Sequence, residues 1–233
     1  LERNVLELSF QYDANTIRTP EDLQMLVNSE NTFNLINDLD LSAYDAWTPI
    51  SGFKGTLRGN GHTISGLSLH VSNLETDKGL FSILEGTVEN LTISGTITAS
   101  GEASNIGLLC GQNRGTIKKV TATGSISAEY SSYVGGIAGY SNTSYITDCT
   151  SAVTVTAKQN VGGIAGHVMA IRSAAAVITG NKNTGTITGT TVIGGLYGSL
   201  FLHGDNNRDE RIYVAENRRL LTCQILEGSE VHA

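Results

Sequence analysis

The segment VGGIAGY at residues 134–140 returns as VGGIAGH at 161–167 and, in altered form, as IGGLYGS at 193–199. A single catalytic loop has no need of copies, whereas an architecture that stacks one structural unit on the next needs the same backbone solution in every unit. The repetition therefore predicts a repeat protein whose successive units lie against each other.

The repeat continues on both sides of these copies. A glycine followed by two apolar or small residues recurs at intervals of 28, 29, 27 and 32 residues, at Gly79, Gly107, Gly136, Gly163 and Gly195. A second block follows at a matching distance, so each unit contains three strand-like pieces. A period of about 29 residues with three short strands is typical of one coil of a parallel β-helix. We predict an all-β, single-stranded parallel β-helix, right-handed as chirality favours.

Residues that face the interior recur in fixed columns. The second block places apolar or small residues at equivalent positions in three successive units: Val88, Leu91, Ile93, Ile97; Ile117, Val120, Ala122, Ile126; and Ile146, Cys149, Ser151, Val155. Hydroxyl residues occupy the outward positions between them, at Thr96, Thr98, Ser125, Ser127, Thr154, Thr156, Thr186 and Thr188. This period of two is expected of strands with one buried face.

Further strands precede the repeats and a short helix precedes those strands. Residues 33–69 supply the core residues of the first coils: Trp47, Phe53, Leu57, Ile64, Leu67 and Leu69. Thr19 as N-cap, Pro20 at the first helical position and Asp22 in a capping box predict a helix start. We expect its apolar face to cover the open end of the coil and to consist of Leu23, Leu26 and Val27.

These patterns divide the chain into a leading segment (1–18), a β-helix (19–204, with the repeats at 79–198) and a charged C-terminal cap or connection (205–233). The net charge of -7 argues against a nucleic-acid partner, because phosphates would be repelled. No stretch of eighteen apolar residues could span a bilayer. The chain opens without Met or a signal sequence, which predicts a piece of a larger protein.

Three cysteines, Cys110, Cys149 and Cys223, are too scattered to form a disulfide framework or a CxxC metal motif. Cys149 occupies the inward column of Leu91 and Val120, so we expect a buried and unreactive thiol. Cys110 belongs to another strand position and is not expected to pair with it.

Four-residue steps carry a family resemblance: GLFS (79–82), GLLC (107–110), GIAG (136–139 and 163–166) and GLYG (195–198). Together with WTPISGFKGTLRGNGHTISGLSL at 47–69, they resemble the GLUG-motif repeats of bacterial cell-surface adhesins over residues 19–198. Such repeats also occur in non-catalytic regions of IgA-cleaving metallopeptidases. Ser82 and Cys110 depart from the motif by replacing its last glycine, and residues 169–182 lengthen one turn.

The resemblance implies a pectate-lyase-like right-handed β-helix without catalytic residues or cofactors. It also implies an extracellular or cell-surface location and a role in adhesion, with a glycan or a protein as ligand. The chain would then be part of a larger bacterial surface protein.

The alternative is a polysaccharide-degrading β-helix, either a lyase or a glycoside hydrolase, which would need carboxylates converging from adjacent coils. The acidic residues considered are Asp38, Asp40, Asp45 and Asp148. The column of Asp148 holds Asn90, Lys119 and Gly180 in other units, so no acids align. We predict no catalytic residues and no enzyme activity.

A metal site is not expected either. Asp38 and Asp40 could face one side of a strand, but the glycine–aspartate nonapeptide of calcium-binding β-rolls is missing. His62 lies in a glycine-rich turn with no carboxylate partner in its own motif, so we expect a hydrogen-bonded turn residue.

Aromatic residues give the binding prediction. Tyr140 and His167 occupy equal offsets in successive units, so their rings should stack about 4.8 Å apart. Tyr133 and Tyr145 should lie beside them. These four residues are the predicted binding residues, with stabilisation of the corner by aromatic stacking as the alternative. The outward Thr and Ser columns leave a further alternative, an ice-binding protein, although threonine is also a common strand former.

Overall fold

A computed structural model of the chain describes residues 14–171 and 176–203, together with the backbone of three short strands between residues 212 and 225. The first strands are β1 Thr16–Ile17, β2 Thr32–Leu35, β3 Leu39–Asp40, β4 Thr56–Arg58, β5 Thr63–Val71, β6 Thr76–Lys78, β7 Phe81–Leu84, β8 Thr87–Ala99, β9 Ser104–Ile106, β10 Cys110–Asn113 and β11 Thr116–Gly135. They continue with β12 Ala138–Asn142, β13 Tyr145–Thr147, β14 Thr150–Gly162, β15 Ala165–Ile171, β16 Ala176–Thr179, β17 Lys182–Asn183, β18 Ile187–Gly189, β19 Thr191–Gly194, β20 Tyr197–His203, β21 Ile212–Ala215, β22 Arg218–Arg219 and β23 Cys223–Ile225.

These strands stack as the coils of a parallel β-solenoid of about five turns. Equivalent strands of successive coils pair in parallel, as in the five-stranded sheet β7–β10–β12–β15–β20. The remaining strands form a larger sheet that bends around the other faces of the coil. The predicted parallel β-helix is therefore confirmed. Its right-handed sense is the one that chirality favours for parallel crossovers.

The interior consists of the predicted columns. Val88 of β8 pairs with Ile117 of β11, which pairs with Ile146 of β13. Ile97, Ile126 and Val155 form a second such column along β8, β11 and β14. Every residue of the three predicted inward sets is at most 2% exposed, as is Ser151, the polar member. The six predicted core residues of the first coils are buried as well: Trp47, Phe53, Leu57, Ile64, Leu67 and Leu69.

Five glycines lie in one corner, as predicted, but the alignment around Gly107 is wrong by one residue. Cys110 pairs with Ala138, so Gly111 rather than Cys110 takes the position of the last glycine of the step. The reason is corner length. Ile106 and Cys110 are separated by three residues, whereas their partners Lys78 and Phe81 are separated by two.

The glycine after this corner allows a close approach between two faces of the coil. A methyl group on Gly139 would overlap the backbone of Asn105 and Ile106, and one on Gly166 would overlap the backbone of Tyr133 and Val134. The last glycine of each GIAG step, Gly139 or Gly166, is therefore required because the backbones of the two sheets lie so close together.

Two other columns turn the chain with left-handed backbone geometry. Residues in the first have φ of 52–67° and are Asn60, Asn90, Lys119, Asp148 and Gly180. Residues in the second have φ of 52–58° and are Asp77, Asn105, Tyr133, Asn160 and Val192. Asn, Asp and Gly tolerate this conformation best, which accounts for most of the residue types found there.

The predicted N-terminal helix is a 3-10 helix at Pro20–Leu26. Asp22 completes its start, because its carboxylate accepts hydrogen bonds from the backbone N–H groups of Arg18 at 2.7 Å and Thr19 at 3.0 Å. Leu23 and Leu26 are fully buried at the first coil, so the helix closes that end of the core as expected. No helix in the described residues is long and apolar enough to cross a membrane.

Parallel pairing extends beyond the predicted limits of 19–204. Strand β1 pairs with β2 before residue 19, and β21, β22 and β23 pair with β16, β17 and β18 after residue 204. The predicted limits were set from charge density and glycine content. Neither property indicates which backbone segments form hydrogen-bonded strand pairs. Part of the lengthened turn at residues 169–182, namely residues 172–175, lies outside the described residues.

Candidate functional site

The predicted aromatic residues meet at the corner between the two sheets. Tyr133 is near the end of β11, directly before the glycine corner, and Tyr140 is in β12, directly after it. Tyr140 pairs with His167 of β15 in the next coil, as the equal offsets predicted. All three side chains are half-buried, so each ring presents part of its surface to solvent.

The three rings contact one another. The centroids of Tyr140 and His167 lie 5.1 Å apart with the ring planes tilted by 33°. Tyr133 meets both rings edge-on, at 6.0 Å from Tyr140 and 5.4 Å from His167. These distances and angles are typical of favourable aromatic pairs. We call Tyr133, Tyr140 and His167 the aromatic corner.

Hydrogen bonds to neighbouring side chains hold two of these rings, Tyr140 and His167, in position. The Tyr140 hydroxyl donates a hydrogen bond to Met169 Sδ at 3.2 Å. His167 Nδ1 lies 2.5 Å from Ser199 Oγ, and Ser199 Oγ donates to Asn160 Oδ1 at 2.8 Å. A hydroxyl has one proton to donate, so His167 must supply the proton of its own contact with Ser199.

This arrangement sets the protonation of His167. Burial lowers the pKa of the imidazole below its ordinary value, which favours the neutral ring near pH 7. The proton is on Nδ1, which leaves Nε2 as a hydrogen-bond acceptor. Burial also raises the pKa of Tyr140, so its hydroxyl stays protonated. Tyr140 and His167 are therefore neutral near pH 7, and the imidazole acceptor suits hydrogen-bond donors such as hydroxyl groups.

Sequence reasoning did not find the supporting residues Met169, Ser199 and Asn160. Ser199 had a detectable signal, because it stands in IGGLYGS where His167 stands in VGGIAGH, and the two residues pair across β15 and β20. Asn160 belongs to the second left-handed column, and its contact with Ser199 spans 39 residues of sequence.

Tyr145 is not part of the ring cluster. It lies in β13, pairs with Thr116 and Val177 on the larger sheet, and is 47% exposed. Within residues 14–171 and 176–203, Tyr145 makes no ring contact. The same holds for Tyr130, which is 58% exposed. The structure thus brings together three of the four predicted binding residues.

His62 has a carboxylate partner, contrary to the expectation from its own motif. Its Nδ1 lies 3.0 Å from Asp38 Oδ1, and the same oxygen accepts the Thr63 backbone N–H at 2.9 Å. The backbone bond and then His62 lower the pKa of Asp38. Coil stacking creates this pair from residues 24 positions apart, which no local motif could reveal.

The other acidic residues do not converge with Asp38. Asp40 accepts the backbone N–H of Ser42 at 2.9 Å, which lowers its pKa and ties it to a local turn. Asp148 stands in the left-handed column between Lys119 and Gly180. In the described part of the chain, no group of three His, Cys, Asp or Glu side chains could hold a metal ion.

The outward hydroxyl residues form two regular columns on the larger sheet. Thr96, Ser125 and Thr154 pair in one, and Thr98, Ser127 and Thr156 pair in the other. Their side chains are exposed or half-exposed, as predicted.

Sequence comparisons find two relatives that are much longer than this chain. No family model matches the sequence. The chain is 34% identical over 154 residues to Halomucin of Haloquadratum walsbyi, a match covering 57% of this chain and 2% of Halomucin. It is 36% identical over 104 residues to a "Putative Gly-rich membrane protein" of Evansella cellulosilytica, covering 38% of this chain and 12% of that protein. The chain therefore spans a small fraction of the relatives it matches.

A solved structure shares the fold. The crystal structure of a "putative immunoglobulin A1 protease" from Bacteroides ovatus matches 93% of this chain and 66% of its own, with a TM-score of 0.64. At 20% identity, this likeness establishes the fold alone. The GLUG-motif resemblance stays a prediction.

Proposed function

We propose that this chain is a non-catalytic binding segment of a larger extracellular or cell-surface protein, and that it recognises a glycan or a partner protein through the aromatic corner. The observation that carries the proposal is the contact among the rings of Tyr133, Tyr140 and His167, which come from two adjacent coils and stay half-exposed. A platform of this kind can stack against a sugar ring or an aromatic side chain.

Three further findings support the proposal. The relatives include a protein whose name describes it as a membrane protein, and the matched region is a small part of both relatives. The structural neighbour is described as a protease, and the GLUG resemblance concerns non-catalytic regions of such peptidases. Asp40 holds a local turn, Asp38 contacts His62, and in the described residues no three His, Cys, Asp or Glu side chains form a cluster that could hold a metal ion.

The test begins with a glycan array and a pull-down of surface proteins, using the intact chain to identify a ligand. The double variant Tyr140→Ala/His167→Ala should then bind that ligand at least tenfold more weakly, because it removes the stacked pair. Tyr130→Ala is the matched control, since it removes an exposed ring outside the aromatic corner.

The double variant must also unfold at a similar denaturant concentration to the wild type for the result to report recognition. Unchanged affinity in a folded double variant would show that the aromatic corner only stabilises the coil, and the proposal would then be wrong.

A further inference from the structure

A second polar surface lies on the larger sheet, at the first left-handed corner. A shallow depression of about 290 Å³ is lined by Arg58, Asn60, Glu89, Asn90, Lys118 and Lys119. Arg58, Glu89 and Lys118 pair in register along β4, β8 and β11. Asn60, Asn90 and Lys119 follow them in the corner itself, with φ of 52–54°. We call this surface the cationic depression.

The cationic depression has an excess of positive charge in a chain of net charge -7. Lys54, Lys78 and Lys158 each form an ion pair with a glutamate. Lys118 and Lys119 are exposed, and neither forms an ion pair within residues 14–171 and 176–203. Two ammonium groups are therefore available to an anion on this surface.

Glu89 forms an ion pair with Arg58 and does not neutralise the positive charge of the whole surface. Its Oε1 accepts a hydrogen bond from Arg58 Nε at 3.3 Å, which leaves the terminal nitrogens of the guanidinium as donors. Three cations face one carboxylate, so the lining has a net positive charge. The nearest further acid in the corner column is Asp148, one coil beyond Lys119.

The lining contains amides and charged groups and no apolar side chain. Such a surface offers a peptide no hydrophobic anchor, and the net charge of the chain opposes an extended polyanion such as a nucleic acid. A sugar that bears a carboxylate matches the lining, since its carboxylate can meet the cations while its hydroxyls meet Asn60 and Asn90. We infer that the cationic depression binds an acidic glycan through a uronic or sialic acid residue. This inference goes beyond the proposed function, because the cationic depression is a separate site from the aromatic corner.

The test measures binding of the full chain to trigalacturonate and sialyllactose, with galactotriose and lactose as neutral counterparts. We expect both acidic probes to shift the NMR signals of Asn60, Asn90 and Lys119, and the neutral probes to shift them far less. The affinity for the acidic probes should fall as salt is added, because the cations are exposed.

The variant Lys118→Gln/Lys119→Gln should bind the acidic probes about tenfold more weakly, since it removes both free ammonium groups. Lys54→Gln/Lys182→Gln is the matched control, because it changes the net charge equally at exposed sites outside the depression. Equal losses in the two variants would reduce the effect to general electrostatics and overturn the inference. Equal binding of acidic and neutral probes, or no binding of the acidic probes at millimolar concentration, would also overturn it.

The two pairs of variants distinguish binding at the cationic depression from binding at the aromatic corner. A ligand whose binding survives Lys118→Gln/Lys119→Gln and is lost in Tyr140→Ala/His167→Ala would overturn the acidic-glycan inference and leave the aromatic corner as the binding site.

Discussion

At the scale of single residues, the protonation of His167 is the property most open to measurement. Its imidazole donates from Nδ1 to Ser199, and burial lowers its pKa. An NMR titration should give His167 a pKa below the ordinary value of about 6.5. At pH values above that pKa, the neutral ring should be the Nδ1–H tautomer. A pKa above that value, or an Nε2–H tautomer, would contradict the hydrogen-bond assignment.

The same shift gives a pH dependence of stability. The unfolded state binds a proton more readily than the folded state, so the contribution of His167 is present above pH 6.5 or so and is lost as pH falls below it. His167→Gln should therefore flatten the decline of the unfolding free energy between about pH 7 and pH 5. An unaltered decline would assign the pH dependence to other groups.

The two described thiols should be inert in the folded protein. Cys110 and Cys149 are fully buried and free. Burial raises the pKa of Cys149 to about 12 and also raises the pKa of Cys110, so little thiolate exists near neutral pH. In a Cys223→Ser background, native labelling should leave both unmodified and denaturation should expose both. Rapid labelling of Cys149 under native conditions would contradict its inward position.

Val192 is poorly suited to its backbone conformation. It stands in the second left-handed column with φ of 54°, where a β-branched side chain is strained. Val192→Asn should raise the unfolding free energy by about 1 kcal/mol, because asparagine tolerates this region. Asn160→Val should have the opposite effect, with loss of the Ser199 hydrogen bond in addition. Chemical denaturation of both variants measures the pair, and a stabilising Asn160→Val would contradict the argument.

At the scale of elements, the interior columns hold the strands in place. Ile126 lies in β11 between Ile97 of β8 and Val155 of β14, and it is 1% exposed. Ile126→Ala should lower the unfolding free energy by about 2–5 kcal/mol through lost burial and the cavity left behind. Ser127→Ala, on the outward face of the same strand, is the control and should change it by less than about 0.5 kcal/mol. Similar losses in both variants would contradict the alternation of faces.

At the scale of the whole molecule, we predict that the solenoid binds through its surfaces and catalyses no reaction. We expect no product when the chain is incubated with pectins, host glycans or peptides, because the described acids do not converge across coils. The measurement is release of reducing sugar or of new amino termini over hours. Turnover that disappears in Asp38→Ala or Asp148→Ala would contradict the prediction and revive the enzyme alternative.

Local chemistry made much of this architecture predictable. The period of the repeat, the inward columns and the Tyr140–His167 stacking depend on alternation and equal offsets, which the sequence reports directly. The helix start at Thr19 and the shared glycine corner are local in the same way.

Other contacts across coils were decided by the tertiary structure alone. The one-residue difference in corner length moved the glycine position from Cys110 to Gly111, and coil stacking placed Asp38 beside His62. It also gathered Arg58, Lys118 and Lys119 around one depression. Such contacts depend on the exact register between strands about 29 residues apart. A single added or missing corner residue shifts that register while leaving the local pattern of apolar and polar residues intact.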